Sequence, residues 1–224
     1  MRLKIDLHVH TCYSHDGLTT PKQLVSYAQK AGLNGVAITD HDRVDGALKM
    51  AKELDYLIIP AIEISSLNGH IMGLNIQEPI PKGLSADETV EKIHALGGLA
   101  IACHPKALLK SSLKAAVNQK FDAVETVNAS ALPFKRSVRQ AHEMASKLKL
   151  AQVGGSDAHY APEIGYAYTL VEAEPDREEI VKAISKGLCQ PLGKAIPLRL
   201  RLKREILSFK THYISRTHSL CSNH

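Results

Sequence analysis

Tryptophan is missing from this 224-residue chain and phenylalanine occurs only three times. Large aromatic rings therefore cannot build the interior, which must be filled by Ile, Leu, Val and Ala. Long apolar runs are missing too. The longest lies near Leu57 to Ile62, far short of the roughly 20 residues that cross a bilayer. The opening "MRLKIDLH" meets charge at once, unlike a secretory leader. The four cysteines (Cys12, Cys103, Cys189, Cys221) form no CxxC pair and are too sparse for a disulfide scaffold. A reduced, cytoplasmic setting is the expectation. Net charge is also lacking over most of the length. The excess of +5 is confined to 197–224, where six Lys or Arg residues face the single acid Glu205.

What is present is an ordinary globular composition, 44% hydrophobic and 23% charged, at a length usual for a single-domain α/β barrel. Apolar runs predict strands at 3–9, 35–39, 57–64, 69–75, 99–103, 122–127, 151–154 and 167–172. Helix-period segments predict helices at 21–31, 44–54, 86–96, 111–119, 134–148 and 176–186. Thr20 before Pro21 is a helix start, and Ser85 or Asp87 can cap the helix at 86–96. Strands and helices alternating along the chain argue for a parallel α/β sheet.

Polar residues decide between an open sheet and a barrel. In "IDLHVHTCYSHDG" (5–17), Ile5, Leu7 and Val9 alternate with Asp6, His8 and His10. On a strand His8 and His10 then share a face, about 7 Å apart. "GVAITD" leads into His41, "LIIPAIEIS" delivers Glu63, and "GHIMGL" supplies His70. "LAIACHP" ends on His104, and "AQVGGSDAH" on Asp157 and His159. An open sheet would spread such residues along an edge, whereas a barrel gathers strand ends at one mouth. The expected fold is a TIM-like (β/α) barrel over 1–196, with room for fewer than eight regular strands. "PLGKAIP" (191–197) would be the hinge to a basic C-terminal tail or helix, 197–224.

Imidazoles with carboxylates suit Zn²⁺, Mn²⁺ or Fe²⁺. Six histidines (8, 10, 41, 70, 104, 159) and three carboxylates (Asp16, Glu63, Asp157) are too many for one ion and suit two or three. The ordered set "DLHVHTCYSHDG", "ITDHD", "AIEIS", "GHIMGL", "ACHP" and "GGSDAH" resembles the motifs of the PHP (polymerase and histidinol phosphatase) family. The likeness spans roughly residues 3–190.

The resemblance implies a distorted (β/α)7 barrel that binds up to three divalent ions and hydrolyses phosphoesters. His8, His10, Glu63 and Asp157 match the ligands of one ion. Glu63 would bridge to a second ion held by His70 and His104, and Asp16, His41 and His159 match a third. Glu63, Asp157 and His159 are expected nearest the chemistry, in which a hydroxide bridging two ions attacks phosphorus in line. His15 competes with Asp16 for the third position; the "DG" that Asp16 forms with Gly17 favours Asp16. The bland reading, a hydrogen-bonded or solvated group, is given to His94, His142, His212, His218 and His224. It is also given to Lys106, Asn128, Lys135, Arg136 and Arg139, while Cys12 and Cys103 are read as packing. Asp40 and Asp42 are expected to hold other ligands or to cap backbone.

Three functions compete. The first is a metal-dependent phosphoesterase acting on a phosphorylated small molecule or a nucleotide end. The second is a histidinol phosphatase. The third, of a different class, is an RNA-processing scaffold that binds nucleic acid and needs no metal; the full ligand set argues against it. In the tail, Leu198, Leu202, Ile206 and Phe209 fall at helical spacing among basic residues. They predict either a helix gripping nucleic-acid phosphates or a terminal helix docked on the barrel with its basic side solvated.

Overall fold

The computed structural model describes residues 1–108 and 110–214, with backbone alone for 211–214. Nine strands form one sheet: β1 (Arg2–Val9), β2 (Gly35–Ile38), β3 (Leu57–Ser66), β4 (Gly69–Leu74), β5 (Leu99–Ala102), β6 (Ala123–Asn128), β7 (Ala151–Gly155), β8 (Ala167–Glu172) and β9 (Cys189–Gly193). Their order is β7-β6-β5-β4-β3-β2-β1-β8-β9. The helices are α1 (Pro21–Lys30), α2 (Asp45–Glu53), α3 (Ala86–Ala95), α4 (Phe134–Leu148), α5 (Arg177–Ser185) and α6 (Leu198–Ile214). Thr20 with Gln23 and Ser85 with Glu88 make the reciprocal bonds that start α1 and α3. Ser85, not Asp87, is therefore the cap.

The sheet curls into a nearly closed barrel. After β7 the chain returns beside β1: the Asp157 amide donates to the His8 carbonyl (2.8 Å), and the His10 amide to that of Ala158 (2.9 Å). Leu3, Ile5, Leu7, Ala37, Ile59, Ala61, Met72, Ile101 and Val153 fill the interior, joined by Ile180 and Ile184 of α5. Leu24, Met50, Val90, Ile93 and Ala145 of the other helices cover the outward faces of the strands.

Strict alternation fails within β1, and the failure matters. Ile5 and Leu7 point into the barrel, yet Val9 packs outside with Val36 and Ile38. Between Asp6 and Val9 the pairing with β2 slips by one residue, a bulge that re-aims the side chains beyond it. His8 and His10 thereby join the inner face that Leu7 had occupied. Gly155 makes this seam possible. A Cβ there would lie 2.4 Å from His8 Cβ and 2.7 Å from the His8 amide nitrogen. Gly155→Ala should lower the urea midpoint by the equivalent of about 1–3 kcal/mol, the usual cost of overpacking. An unchanged midpoint would mean that the seam opens freely.

Several segments differ from the sequence expectation. β4 runs antiparallel to both β3 and β5, because only Leu67 and Asn68 join β3 to β4. Two residues allow a hairpin, whereas a parallel return needs a long crossover. His70 consequently stands at the start of its strand and still reaches the mouth. The helix expected at 111–119 is reduced to a single turn at Lys114–Ala116. The Ser112 hydroxyl bonds the carbonyls of His104 and Ala107, and the Ser111 carbonyl accepts from the His70 amide. These local bonds compete with helix formation. Part of the expected hinge is strand β9, an edge strand paired with β8 alone, where Pro191 is tolerated. Among the described residues no helix is long and apolar enough to cross a membrane.

α6 reverses the expected orientation of the tail. Leu198, Leu202, Ile206 and Phe209 are exposed, while Arg201 and Arg204 face the barrel. Arg201 donates to the carbonyls of Ile196, Ala129 and Ser130, and Arg204 to buried Glu163. The basic side is therefore partly engaged rather than wholly solvated. Arg216, His218, Cys221 and His224 lie outside the described residues.

Candidate metal centre

Glu63 ends the apolar run of β3 and is 1% exposed. Its Oε2 lies 3.3 Å from His8 Nε2, 3.2 Å from His10 Nε2 and 3.3 Å from His41 Nδ1. Its Oε1 lies 3.0 Å from His70 Nδ1 and 3.0 Å from His104 Nε2. One carboxylate thus meets five imidazoles. Asp157 Oδ1 faces His10 Nε2 and His159 Nδ1, both at 3.5 Å, and His8 Nε2 at 3.8 Å. Asp16 Oδ2 stands 3.1 Å from His159 Nε2 and 3.6 Å from His41 Nε2.

All nine residues singled out in the sequence therefore converge. Their ligand atoms form four overlapping groups, each with its atoms within 4.8 Å of one another: His10, Asp16, His41 and His159; His8, His10 and Glu63; His8, His104 and Asp157; and His41, Glu63 and His70. His15 belongs to none of these groups: its side chain is 76% exposed and stands at the edge of the centre, its Nε2 3.9 Å from Asp16 Oδ2.

A metal fits this donor set. His8 Nε2, both ring nitrogens of His10, His104 Nδ1 and Asp157 Oδ1 are buried without a hydrogen-bond partner. Such orphaned atoms are rare in folded proteins, and divalent ions take up imidazole and carboxylate lone pairs. His8 Nδ1 is engaged by Glu125 Oε1 at 3.0 Å. That contact favours the tautomer whose Nε2 lone pair faces the cluster.

Electrostatics keep the acids ionised. Burial pushes the Glu63 carboxyl up, but the surrounding histidines outweigh it and hold it well below the usual range. Asp157 is held down in the same way, chiefly by Lys110 and His8, and Asp16 by His159 and His41. The imidazoles divide. Burial disfavours the charge on His10, yet the neighbouring Asp157 and Glu63 carboxylates raise its pKa to about 9. Burial and the neighbouring His10 lower His159 to about 4. His104 and Asp157 both have positive φ, at 30° and 54°. Strain of this kind concentrates at functional sites.

Three contributors were not singled out in the sequence as part of the site. Glu125, 2% exposed, binds His8 and also accepts from the His104 amide at 2.8 Å. Asn128, read as solvated, is buried and donates to Glu125 (2.9 Å) and Asp157 (3.0 Å). Lys110 reaches in from the loop after β5 and pairs with Asp157. An acid inside the apolar run "AVETVN" was the available signal for Glu125; nothing local marked Lys110. Asp40 and Asp42 bind Thr11 and Ser65 rather than a histidine, so they hold backbone. His94 and His142 are hydrogen-bonded away from the centre, to Asp122 and Gln152. Cys103 is fully buried in the interior, as packing requires.

Comparison with known proteins agrees with this geometry. The pattern of the PHP-associated family (PHP_C) matches residues 135–189. The uncharacterized protein MJ1587 of Methanocaldococcus jannaschii is 39% identical over 141 residues, covering 57% of this chain and 82% of its own. A 5'-3' exoribonuclease of Haemophilus influenzae is 39% identical over 89 residues, 37% of this chain and 32% of that longer protein. Among solved structures, a two-domain protein from Bacteroides vulgatus, described as containing a predicted PHP-like metal-dependent phosphoesterase, superposes with a TM-score of 0.70. It is 20% identical and is covered over 93% of this chain and 70% of that one, so it speaks for the fold. The chain belongs to the PHP family.

The choice between Asp16 and His15 is open to a paired test. Asp16→Ala should lower the metal content measured by elemental analysis and cut turnover by at least about tenfold, whereas His15→Ala should retain the metal. The reverse pattern would move the third position to His15.

Proposed function

We propose that this chain is a metal-dependent phosphoesterase that hydrolyses phosphomonoesters, including those at nucleotide ends. The observation that carries the reading is Glu63, with its two oxygens shared among five imidazoles. A carboxylate so placed can hold two cations, one on each oxygen. His8, His10, Glu63 and Asp157 would hold one ion, Glu63, His70 and His104 a second, and Asp16, His41 and His159 a third. When bound, such ions lower the pKa of water and neutralise charge on a phosphoryl group.

The protein groups have separate tasks. Glu125 fixes the His8 ring, and Asn128 holds Glu125 and Asp157 in register. His159, with its low pKa, presents a neutral imidazole to the cluster instead of a proton. Lys110 keeps its proton: burial opposes the charge, but Asp157 prevails and raises its pKa. Its ammonium stands at the mouth, paired with Asp157.

Access is broad. Between His70 and His104 the chain is taken up by β4, α3, β5 and their connections, leaving no inserted domain to overhang the site. Aryl, sugar and nucleotide phosphates should all be turned over, measured as phosphate release across Zn²⁺, Mn²⁺ and Fe²⁺. Strict selectivity for one metabolite, with simple aryl phosphates untouched, would overturn the open-mouth reading. A 5'-phosphorylated oligonucleotide belongs in the same panel, prompted by the similarity to the Haemophilus influenzae exoribonuclease.

A further inference from the structure

The basic helix α6 borders the metal centre. A cavity of about 380 Å³ is lined by Lys110, Ser130, Arg201 and Arg204 together with Asp16 and His159. Lys110, Asp16 and His159 also line the cleft that holds Glu63, His70 and His104. The two spaces therefore adjoin.

The cations of this cavity are not equivalent. Lys110 is paired with Asp157, and Arg204 with Glu163 and Glu205. Arg201 touches no carboxylate among the described residues. Its Nε donates to the Ile196 carbonyl (3.0 Å), Nη1 to that of Ser130 (2.9 Å) and Nη2 to that of Ala129 (2.8 Å). A guanidinium has five N–H donors, so donors remain beyond these three bonds. Neutral carbonyls fix the fork without cancelling its charge. A planar cation already held in place loses little freedom on binding, and it matches the oxygens of a phosphate.

We propose that Arg201 forms an anion subsite beside the metal centre, so that the preferred substrates carry a second phosphate beyond the one hydrolysed. This rests on the phosphoesterase reading above and adds a substrate class to it. A bisphosphorylated small molecule and a 5'-phosphorylated nucleotide chain both supply the second phosphate, the latter through its first internucleotide link. Glu205 on the rim opposes the anion and, through its contact with Arg204 (3.0 Å), keeps that cation occupied.

Two measurements test the subsite. In the first, metal-free protein in chelator is titrated calorimetrically with inorganic phosphate. Arg201→Gln should weaken binding about tenfold, the lower range for a charge-assisted hydrogen bond. Glu205→Gln should tighten it several-fold while leaving the carbonyl bonds of Arg201 intact. In the second, the metal-loaded enzyme is assayed for kcat/KM on fructose 1,6-bisphosphate against fructose 6-phosphate, and on pApA against AMP. A preference of about tenfold or more is expected in at least one pair, falling towards unity in Arg201→Gln. Preference in the sugar pair alone identifies a small bisphosphate, and in the nucleotide pair alone a chain end.

Equal kcat/KM within both pairs, or a preference that survives Arg201→Gln, would overturn the proposal. So would phosphate binding indifferent to both substitutions. Should Arg201→Gln fail to fold, Arg201→Lys decides: it keeps the charge but not the planar fork, and phosphate binding and substrate preference equal to the parent's would overturn the proposal. If no phosphoester is turned over, the phosphoesterase reading fails, while the titration still judges the anion subsite separately.

Discussion

Replacing Glu63 with glutamine should reduce turnover by more than about 100-fold, because even the partners of metal ligands are each worth about 10- to 100-fold. The change is nearly isosteric, so the barrel should persist, and circular dichroism provides the control. What is lost is one anionic group against which five imidazole nitrogens are arranged. An amide offers one oxygen acceptor and an NH₂ that can only donate, so it cannot present a lone pair to each side. Elemental analysis should show metal content falling by more than one ion per chain. Turnover within a few-fold of the parent would refute the bridging assignment.

Removing metal altogether should abolish hydrolysis and lower the melting temperature. At a free-ion concentration 100-fold above the dissociation constant, one bound ion stabilises by about 2.7 kcal/mol. For a chain of this size that corresponds to roughly 5–10 °C. Chelated protein should therefore melt several degrees earlier, and Zn²⁺ or Mn²⁺ should restore both melting point and activity. The buried orphan atoms of His8, His10 and Asp157 give the reason: they lack partners that an ion would provide. Full activity in rigorously metal-free protein would defeat the mechanism.

The candidate centre was largely legible in the sequence because strand ends carry their chemistry in short, recognisable words. "HVH", "ITDH" and "GGSDAH" each put a polar residue where an apolar run stops, and such residues meet at a barrel mouth. Glu125 and Asn128 escaped for a physical reason. Their roles depend on which residues β6 faces across the barrel, and that is a matter of curvature and register. The direction of β4 was hidden because an apolar run reads alike either way; only the two-residue link at Leu67 and Asn68 betrays it. In α6 the apolar spacing misled. Arg201 and Arg204 find fixed carbonyls and a buried carboxylate on the barrel, and those partners outweigh burial of Leu202 and Ile206. The bulge in β1 lay outside any periodicity argument, since it breaks the period itself.

The seam between His8 and residues 155–158 has a consequence for how the molecule assembles. β1 pairs early with β2, its near neighbour in sequence, but its other contacts at His8 and His10 await Asp157 and Ala158. Some 150 residues separate the two sides, as in the bond from the Ser156 amide to Asp6. Pairings so distant in sequence form slowly, because a long loop must close before any contact rewards it. The imidazoles of β1 can gather round Glu63 before that closure, but without Asp157 or His159 to complete their coordination. An ion captured by such a half-built cluster would be held by fewer donors and exchange more readily. Refolding followed by metal uptake should therefore show a weak early phase and a tight late one, the second keeping time with the closing of the β1 seam.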